Sequence, residues 1–93
     1  MYKYDLVFTK QFQKDLDLAK KQHIDLTKLF EVIDKLRNDE QLDPVYRDHE
    51  LSGKHYSGKR ECHVLNDFLL VYIKDGKSLI LLLYRCGSHS HLF

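Results

Sequence analysis

The second half of the chain concentrates side chains that exchange protons or stabilise negative charge. Five of the six histidines follow residue 48, at positions 49, 55, 63, 89 and 91, and Asp67 and Arg85 accompany them. These are the components of a metal-free acid–base site for a phosphodiester. A base deprotonates the nucleophile, an acid protonates the leaving oxygen, and the arginine stabilises charge on the phosphate. RNA carries its own nucleophile in the 2′-hydroxyl, so the protein needs to supply no covalent group.

Other interpretations of these residues stay open. A single histidine at a strand edge is more often a hydrogen-bonded surface residue than a catalyst, and we place His23 and His55 in that class. Arg85 is alternatively a strand-end charge without a function, and Phe93 a hydrophobic plug that closes the core. The chain has no glycine-rich phosphate loop, no CxxC pair and no serine nucleophile elbow.

The tail histidines and the cysteines allow a metal or redox interpretation. An extended tail would aim the imidazoles of His89 and His91 the same way, where they could bind a metal with His63 or Cys62. The other ligands lack a recognisable spacing, so we expect no metal and no cofactor. We expect Cys62 and Cys86 to be small buried hydrophobic residues, with a disulfide or redox role as the alternative.

Composition indicates one soluble globular domain over residues 1–93. Hydrophobic residues make up 43% and charged residues 31% of the chain, which argues against disorder. No apolar stretch is long enough to span a membrane, and the N-terminus lacks the apolar core of a signal peptide, so we expect a cytoplasmic protein. Net charge is +1, but the histidines make the second half basic near phosphates, which favours a nucleic-acid or phosphate partner.

Apolar spacing predicts a strand followed by two antiparallel helices. Alternation over residues 2–8 indicates the strand. Thr9 is a plausible N-cap for the first helix, which ends near His23 with Phe12, Leu16 and Ala19 on one face. Asp25 caps a second helix that ends around residue 37. Its predicted apolar face consists of Leu26, Leu29, Phe30, Ile33 and Leu36.

The remainder predicts an antiparallel β-meander, and the fold class is therefore α+β. Strands are predicted at residues 49–51, 60–65, 68–74 and 78–86, with a hairpin turn at Asp75-Gly76. That turn would place Arg85 opposite residues 66–68. The meander then gathers a set of side chains at one edge of the sheet: His49, His63, Asp67, Arg85 and His89.

Three stretches carry a resemblance to a known family: LDPVYRDHELSGK (42–54), RECHVLNDFLLVY (60–72) and RCGSHSHLF (85–93). The opening FTKQFQKDLDLAKK (8–21) adds to it, so the resemblance covers essentially the whole chain. The sequence resembles the YafQ-type toxins of the RelE/ParE superfamily, which are bacterial toxin–antitoxin ribonucleases with a RelE-like microbial RNase fold.

The resemblance implies an endoribonuclease that cuts mRNA in the ribosomal A site, without a metal, by 2′-hydroxyl attack. His89 would be the general acid, Asp67 or His49 the base or base-orienting partner, and Arg85 the group that neutralises the phosphate. His63 would bind or polarise the same phosphate. The residues expected to bind or position substrate are Phe68, Phe93, Lys54 and Arg60.

The resemblance also implies partners. These are a cognate antitoxin, operator DNA bound through that antitoxin, and the ribosome with its mRNA. The family often has Trp where this chain has Phe68. The competing interpretation is a ParE-like toxin without catalysis, or a small binding module.

Overall fold

The strands of the chain form one mixed five-stranded sheet in the order β1-β5-β4-β3-β2. The computed structural model describes residues 2–53, 58–65 and 67–93. In chain order the elements are β1 Asp5–Phe8, α1 Lys10–Lys21, α2 Thr27–Arg37, a 3₁₀ turn Pro44–Tyr46, β2 His49–Glu50, β3 Arg60–Leu65, β4 Phe68–Asp75, β5 Ile80–Ser88 and α3 His89–Leu92. The α+β class and the helix order are confirmed. The first strand joins the meander in parallel, beside β5.

The predicted start of α1 is confirmed. Thr9 has an extended backbone, and its Oγ1 accepts a hydrogen bond from the Phe12 N–H at 2.9 Å. The strand before it is shorter than the alternation predicts. The N–H groups of Lys3 and Tyr4 both donate to the carbonyl of Arg37 at 3.0 Å. The end of α2 therefore takes the backbone bonds of these two residues, and β1 begins only at Asp5.

The apolar face of α2 differs from the prediction by one residue. The N-cap of α2 is Leu26, which makes no side-chain cap bond, and not Asp25 as predicted. The Asp25 carboxylate, one residue earlier, accepts from the Thr27 N–H at 3.0 Å. Leu29, Val32, Ile33 and Leu36 are buried, whereas Phe30 is 52% exposed. Phe30 lies about 100° around the helix from Leu29. Phe30 therefore lies beside the buried face of the helix, and Val32 is buried in its place.

The pairing of β4 with β5 contradicts the predicted register. Asp75 pairs with Ile80, so residues 76–79 form a longer loop, in which the Asp75 carboxylate accepts from the N–H groups of Lys77 and Ser78. A bulge at position 84 then adds one unpaired residue to β5. Arg85 consequently pairs with Val71 instead of lying opposite residues 66–68.

Both long helices pack on one face of the sheet. The core there combines Phe12, Ala19, Leu29, Val32, Ile33 and Leu36 of the helices with Cys62, Val64, Phe68, Leu70, Tyr72, Leu81, Leu83 and Cys86 of the strands. Both cysteines are free and fully buried, as expected. Burial raises the pKa of each thiol to about 12. No helix in the described part of the chain is long and apolar enough to cross a membrane.

Candidate active site

A row of directly paired residues crosses four strands. On β2, β3 and β4 it lies on the face opposite α1 and α2, and on β5 it ends at Arg85, whose guanidinium reaches the Asp15 carboxylate of α1. His49 pairs with Glu61, Glu61 with Val71, and Val71 with Arg85. Paired residues of antiparallel strands point to the same face. His63 follows Glu61 by two positions on β3 and shares that face. We call His49, Glu61, Val71 and Arg85 the cross-strand row.

Glu61 lies between two imidazoles. Its Oε1 is 3.5 Å from His49 Nε2 and 3.6 Å from His63 Nε2, and the two rings are 6.3 Å apart. The Glu61 side chain is 7% exposed, and those of His49 and His63 are 47% and 32% exposed. This is a buried acceptor beneath two accessible rings, which suits proton transfer to a substrate lying on the sheet.

The tautomer of His49 follows from its second contact. His49 Nδ1 lies 2.6 Å from the carbonyl oxygen of Arg47. A carbonyl only accepts, so Nδ1 is the donor in this hydrogen bond. In the neutral ring Nε2 then carries the lone pair. Its 3.5 Å separation from Glu61 Oε1 is too long for a hydrogen bond and becomes an ion pair only when Nε2 is protonated. The geometry therefore leaves Nε2 as the basic nitrogen, with a carboxylate next to it.

Arg85 is held by a carboxylate from the first helix. Its Nε and Nη2 donate to Asp15 Oδ2 and Oδ1 at 2.9 and 3.1 Å. The Asp15 side chain is nearly fully buried, at 1% exposed. Burial by itself raises the pKa of this carboxyl. Hydrogen bonds from Arg85, Gln11, His91 and the Cys86 N–H outweigh it, and the pKa lies below its ordinary value.

The contact also affects the guanidinium. The hydrogen bond to Asp15 raises the pKa of Arg85 despite partial burial. The bidentate pair uses only two of the five N–H donors of the guanidinium. At 24% exposed, the side chain still reaches solvent. Arg85 is thus fixed in direction, with donors left for an anion.

The tail, residues 89–93, is ordered as a helical turn. Ser88 Oγ accepts from the His91 N–H at 3.2 Å, and the Phe93 N–H donates to the carbonyl of His89 at 2.9 Å. Asp67 Oδ1 accepts from the His89 N–H at 3.4 Å. Asp67 therefore contacts the first backbone group of α3, whereas it was predicted as a base or base-orienting residue.

The end of the tail lies over the cross-strand row. A small cavity of about 80 Å³ is lined by Val71, Tyr84, Arg85, Leu92 and Phe93. The Phe93 ring is 46% exposed, and its centroid is 5.2 Å from that of His89. The structure thus brings the tail aromatic, His89 and Arg85 to the same end of β5.

Two of the predicted substrate-binding residues, Phe68 and Arg60, lie away from the cross-strand row. Phe68 is 8% exposed in the core and lines a cavity of about 270 Å³ under the tail, so only that side of its ring is accessible. Arg60 pairs with Tyr72 in the sheet, on the helix-covered face, and its Nε donates to Asp48 at 3.3 Å. The structure does not bring Arg60 to the cross-strand row. Lys54 is outside the described residues.

Sequence reasoning missed three residues of this arrangement: Asp15, Glu61 and His91. Glu61 stands two positions before His63 on a predicted strand, a spacing that places it on the same face. Asp15 follows Phe12 by three positions and precedes Ala19 by four, so a charge falls on the buried face of α1. His91 is the third, because the resemblance gives a role to His89 and none to His91.

The metal interpretation of the tail assumed an extended chain. In the helical turn the imidazoles of His89 and His91 have different partners. His91 Nε2 lies 3.2 Å from Asp15 Oδ1, and the ring of His89 lies against Phe93. Within residues 2–53, 58–65 and 67–93, no group of three His, Cys, Asp or Glu side chains is placed to hold a metal ion.

Comparisons with known proteins agree on one family. A family model described as "Bacterial toxin of type II toxin-antitoxin system, YafQ" matches residues 4–93. The chain is 37% identical over 94 residues to the mRNA interferase toxin YafQ of Escherichia coli strain K12, covering 100% of this chain and 99% of that protein.

Solved structures of similar proteins share the fold. The crystal structure of the E. coli DinJ-YafQ toxin–antitoxin complex matches with a TM-score of 0.88 at 36% identity, over 98% of both chains. A metal-bound toxin from Helicobacter pylori matches with a TM-score of 0.89 at 40% identity, over 100% of both chains.

Proposed function

The chain belongs to the YafQ family of bacterial toxins from type II toxin–antitoxin systems, and on that premise we propose that it is an endoribonuclease that cuts mRNA on the ribosome. The observation that carries the proposal is the cross-strand row, which pairs His49, Glu61, Val71 and Arg85 directly across β2 to β5, with His63 two positions after Glu61. The named activity of the E. coli relative, an mRNA interferase, supports it. The earlier assignments of individual roles remain proposals.

The reaction is an internal transfer at one phosphodiester. The 2′-oxygen of a ribose bonds to the adjacent phosphorus as the bond from phosphorus to the 5′-oxygen breaks. The proton of the 2′-hydroxyl goes to a base on the protein, and the leaving 5′-oxygen takes a proton from an acid. The products are a 2′,3′-cyclic phosphate and a 5′-hydroxyl. No covalent intermediate with the protein is formed.

We assign the base to His49. Its Nδ1 is committed to the carbonyl of Arg47 at 2.6 Å, which leaves Nε2 to accept the proton. Glu61, 3.5 Å from Nε2, stabilises the imidazolium that results. His63, whose Nε2 lies 3.6 Å from the same carboxylate, binds the phosphate beside it. Asp67 contacts the backbone of the tail instead, which favours His49 over Asp67 as the base.

We assign the acid to His89 and charge stabilisation to Arg85. Arg85 is oriented by Asp15 and keeps free N–H donors, so it can bind a phosphate oxygen without rearranging. Phe93, half exposed and next to His89, positions an unpaired base by stacking. The ring of Phe68 is mostly buried, so any contact with substrate runs through the cavity under the tail.

The ribosome is part of the proposal because the chain itself has little charge for binding RNA. Fifteen Lys and Arg residues face fourteen Asp and Glu residues. Affinity for RNA grows with the number of phosphates that cations neutralise. A chain this close to neutral needs a carrier that presents the message, and the translating ribosome in the cytoplasm is that carrier.

A cognate antitoxin is the second partner that we propose. The E. coli relative crystallises as a toxin–antitoxin complex, and this chain matches its toxin over 98% of both chains. The antitoxin would neutralise the toxin and bring the pair to operator DNA. Co-purification of the chain with the product of a neighbouring gene tests this partner, and a toxin that remains alone on the column argues against it.

Cleavage of mRNA on translating ribosomes, with and without EDTA, tests the activity. His89→Asn should lower the cleavage rate by about 10²- to 10⁴-fold, the range for loss of a general acid. His23→Asn is a matched control, because His23 is exposed and Asn tolerates its φ of 58°. Because ribosomes themselves require Mg²⁺, the EDTA arm treats the toxin alone, which is then desalted before it is added to the ribosomes. Loss of cleavage by toxin treated in this way would replace this mechanism with a metal-dependent one. Growth arrest without cleavage would indicate a non-catalytic toxin.

A further inference from the structure

Asp15 joins three separate elements of the chain through one buried carboxylate. From α1 it receives Gln11 Nε2 at 3.2 Å. From β5 it receives both Arg85 nitrogens and the Cys86 N–H, the latter at 3.3 Å. From α3 it receives His91 Nε2 at 3.2 Å, across 76 positions of sequence. A buried carboxylate is tolerated only with such partners, so all three elements are held in one arrangement.

These contacts indicate whether Nε2 of the His91 ring carries a proton. Nε2 lies 3.2 Å from Asp15 Oδ1 and 3.4 Å from Arg85 Nη2. A carboxylate only accepts and a guanidinium only donates, so Nε2 bonds to one of them. Asp15 is the shorter contact and the charged acceptor. We therefore infer that Nε2 carries a proton and donates to Asp15, and that Arg85 is only a neighbour.

The ring of His91 packs closely against Gly87 at the end of β5. Gly87 has a φ of 145°, and a Cβ atom built there would lie 3.0 Å from His91 Cδ2. The Ser88 hydroxyl meanwhile accepts the His91 backbone N–H. His91 is therefore held by its ring and by its backbone, and the helical turn around it is fixed at this point.

We propose that Asp15 and His91 are positioning residues: Asp15 aims Arg85 and, through His91, anchors the turn that carries His89. The proposal rests on the proposed function, because it matters for catalysis only if His89 and Arg85 act on a phosphate. A four-residue helix has no stability of its own. The position of α3 therefore depends on side-chain contacts. Displacing the general acid by about 1 Å would lower the reaction rate about 10²-fold.

Kinetics on programmed ribosomes test the catalytic half. His91→Ala should lower kcat about 10-fold with KM within about 2-fold, because it misplaces an acid without removing a substrate contact. His91→Gln should recover most of the rate, since the glutamine amide can donate to Asp15. Asp15→Asn should lower kcat by about 10²-fold. Asp17→Asn is the matched control on the exposed side of the same helix and should behave as wild type.

NMR of the free protein tests the anchoring half without reference to activity. The ¹⁵N resonances of His91 should show a protonated Nε2. Heteronuclear NOE values of the amides in residues 89–93 should fall in His91→Ala and Asp15→Asn, and remain unchanged in Asp17→Asn. If Asp15→Asn fails to fold, His91→Ala alone tests the anchoring. The His91 side chain is 39% exposed, so its replacement should not prevent folding.

The outcomes separate the two proposals. Full kcat in His91→Ala, or a tail that stays equally ordered without His91, overturns the positioning role. Lowered kcat without rescue by His91→Gln also overturns it, because the hydrogen bond to Asp15 would then not be the cause. If the wild-type protein cleaves no mRNA but the variants still loosen the tail, the proposed function is wrong. The anchoring role of Asp15 and His91 is then still supported.

Discussion

Replacing Glu61 by glutamine removes a charge between two imidazoles and keeps the shape of the side chain. Glu61 Oε1 lies 3.5 Å from His49 Nε2 and 3.6 Å from His63 Nε2. If His49 accepts the 2′-hydroxyl proton, the carboxylate stabilises the imidazolium that forms. A glutamine offers only a dipole in the same place. The chemical step should therefore slow, while substrate binding changes less.

Coulomb's law limits the size of this effect. At the 3.5 Å separation of Glu61 and His49, two unit charges interact by about 1 kcal/mol in water and about 5 kcal/mol at the effective dielectric near a protein surface. Glu61 is buried but His49 is 47% exposed, which moves the value toward the lower limit. We expect about 2 kcal/mol, or about a 30-fold decrease in kcat for Glu61→Gln.

Single-turnover cleavage of a defined message on programmed ribosomes measures this decrease. Glu50→Gln is the matched control, because Glu50 is an exposed carboxylate next to His49 on β2. The double variant His49→Ala/Glu61→Gln should be no slower than His49→Ala alone, since Glu61 acts through His49. An unchanged kcat in Glu61→Gln would refute the reasoning, and so would fully additive losses in the double variant.

Three further predictions concern the tail, the thiols and the buried carboxylate. Deleting Leu92 and Phe93 should reduce cleavage by about 10-fold or more while the urea midpoint changes little, because an unanchored turn misplaces His89; equal cleavage by the truncated chain would contradict this. Cys62 and Cys86, each with a pKa of about 12, should resist iodoacetamide in the native state and react in urea, as mass spectrometry would detect. The pKa of Asp15 is lower in the folded state than in the unfolded chain, where it is about 3.9. Ionised Asp15 therefore adds to the free energy of unfolding above the unfolded pKa, and this contribution is lost as the pH falls through the folded pKa. Urea titrations at a series of pH values should accordingly show the stability gap between wild type and Asp15→Asn narrowing below about pH 4, whereas a constant gap would mean that ionisation of Asp15 adds nothing.

Helix boundaries were predictable because they depend on neighbouring residues. Thr9 caps α1 and accepts from the Phe12 N–H, as the cap pattern predicts. At α2 the predicted cap, Asp25, accepts from the Thr27 N–H but lies one residue before the N-cap, Leu26. The bounds of β3 and β4 were predicted to within one residue, because apolar runs and flanking turn residues also act locally. Such short-range rules describe a residue and its neighbours within one turn or one strand, and they hold wherever tertiary contacts do not compete. At the start of β1 they do compete, since the end of α2 takes the N–H groups of Lys3 and Tyr4.

The register of the last hairpin was not predictable from the Asp75-Gly76 pair. Asp75 uses its carboxylate to hold two later N–H groups, and this closes a four-residue loop instead of a two-residue turn. The bulge at Tyr84 adds one more residue. Together the two changes move Arg85 about five positions along β4 from the register of a two-residue turn. A site assigned by counting across a hairpin inherits every such shift.

The grouping of His49 with His63 survives this shift because it depends only on β2 and β3. Those strands pair over Glu61, and alternation carries His63 to the same face. Asp15 has no comparable local signal. Whether a charge on the apolar face of a helix is buried depends on what packs against it, and here the partner is the last strand, 70 positions away.

The two sides of the proposed reaction are held by different physical means. His49, Glu61 and His63 lie on paired strands, so backbone hydrogen bonds of the sheet fix their spacing. Arg85 and the tail depend instead on side chains, and the carboxylate that orients Arg85 comes from α1. All five residues predicted as catalytic lie after residue 48, yet the second half of the chain alone would lack Asp15. The first helix is therefore part of the site, because removing it would leave Arg85 without its orienting carboxylate and His91 without its acceptor.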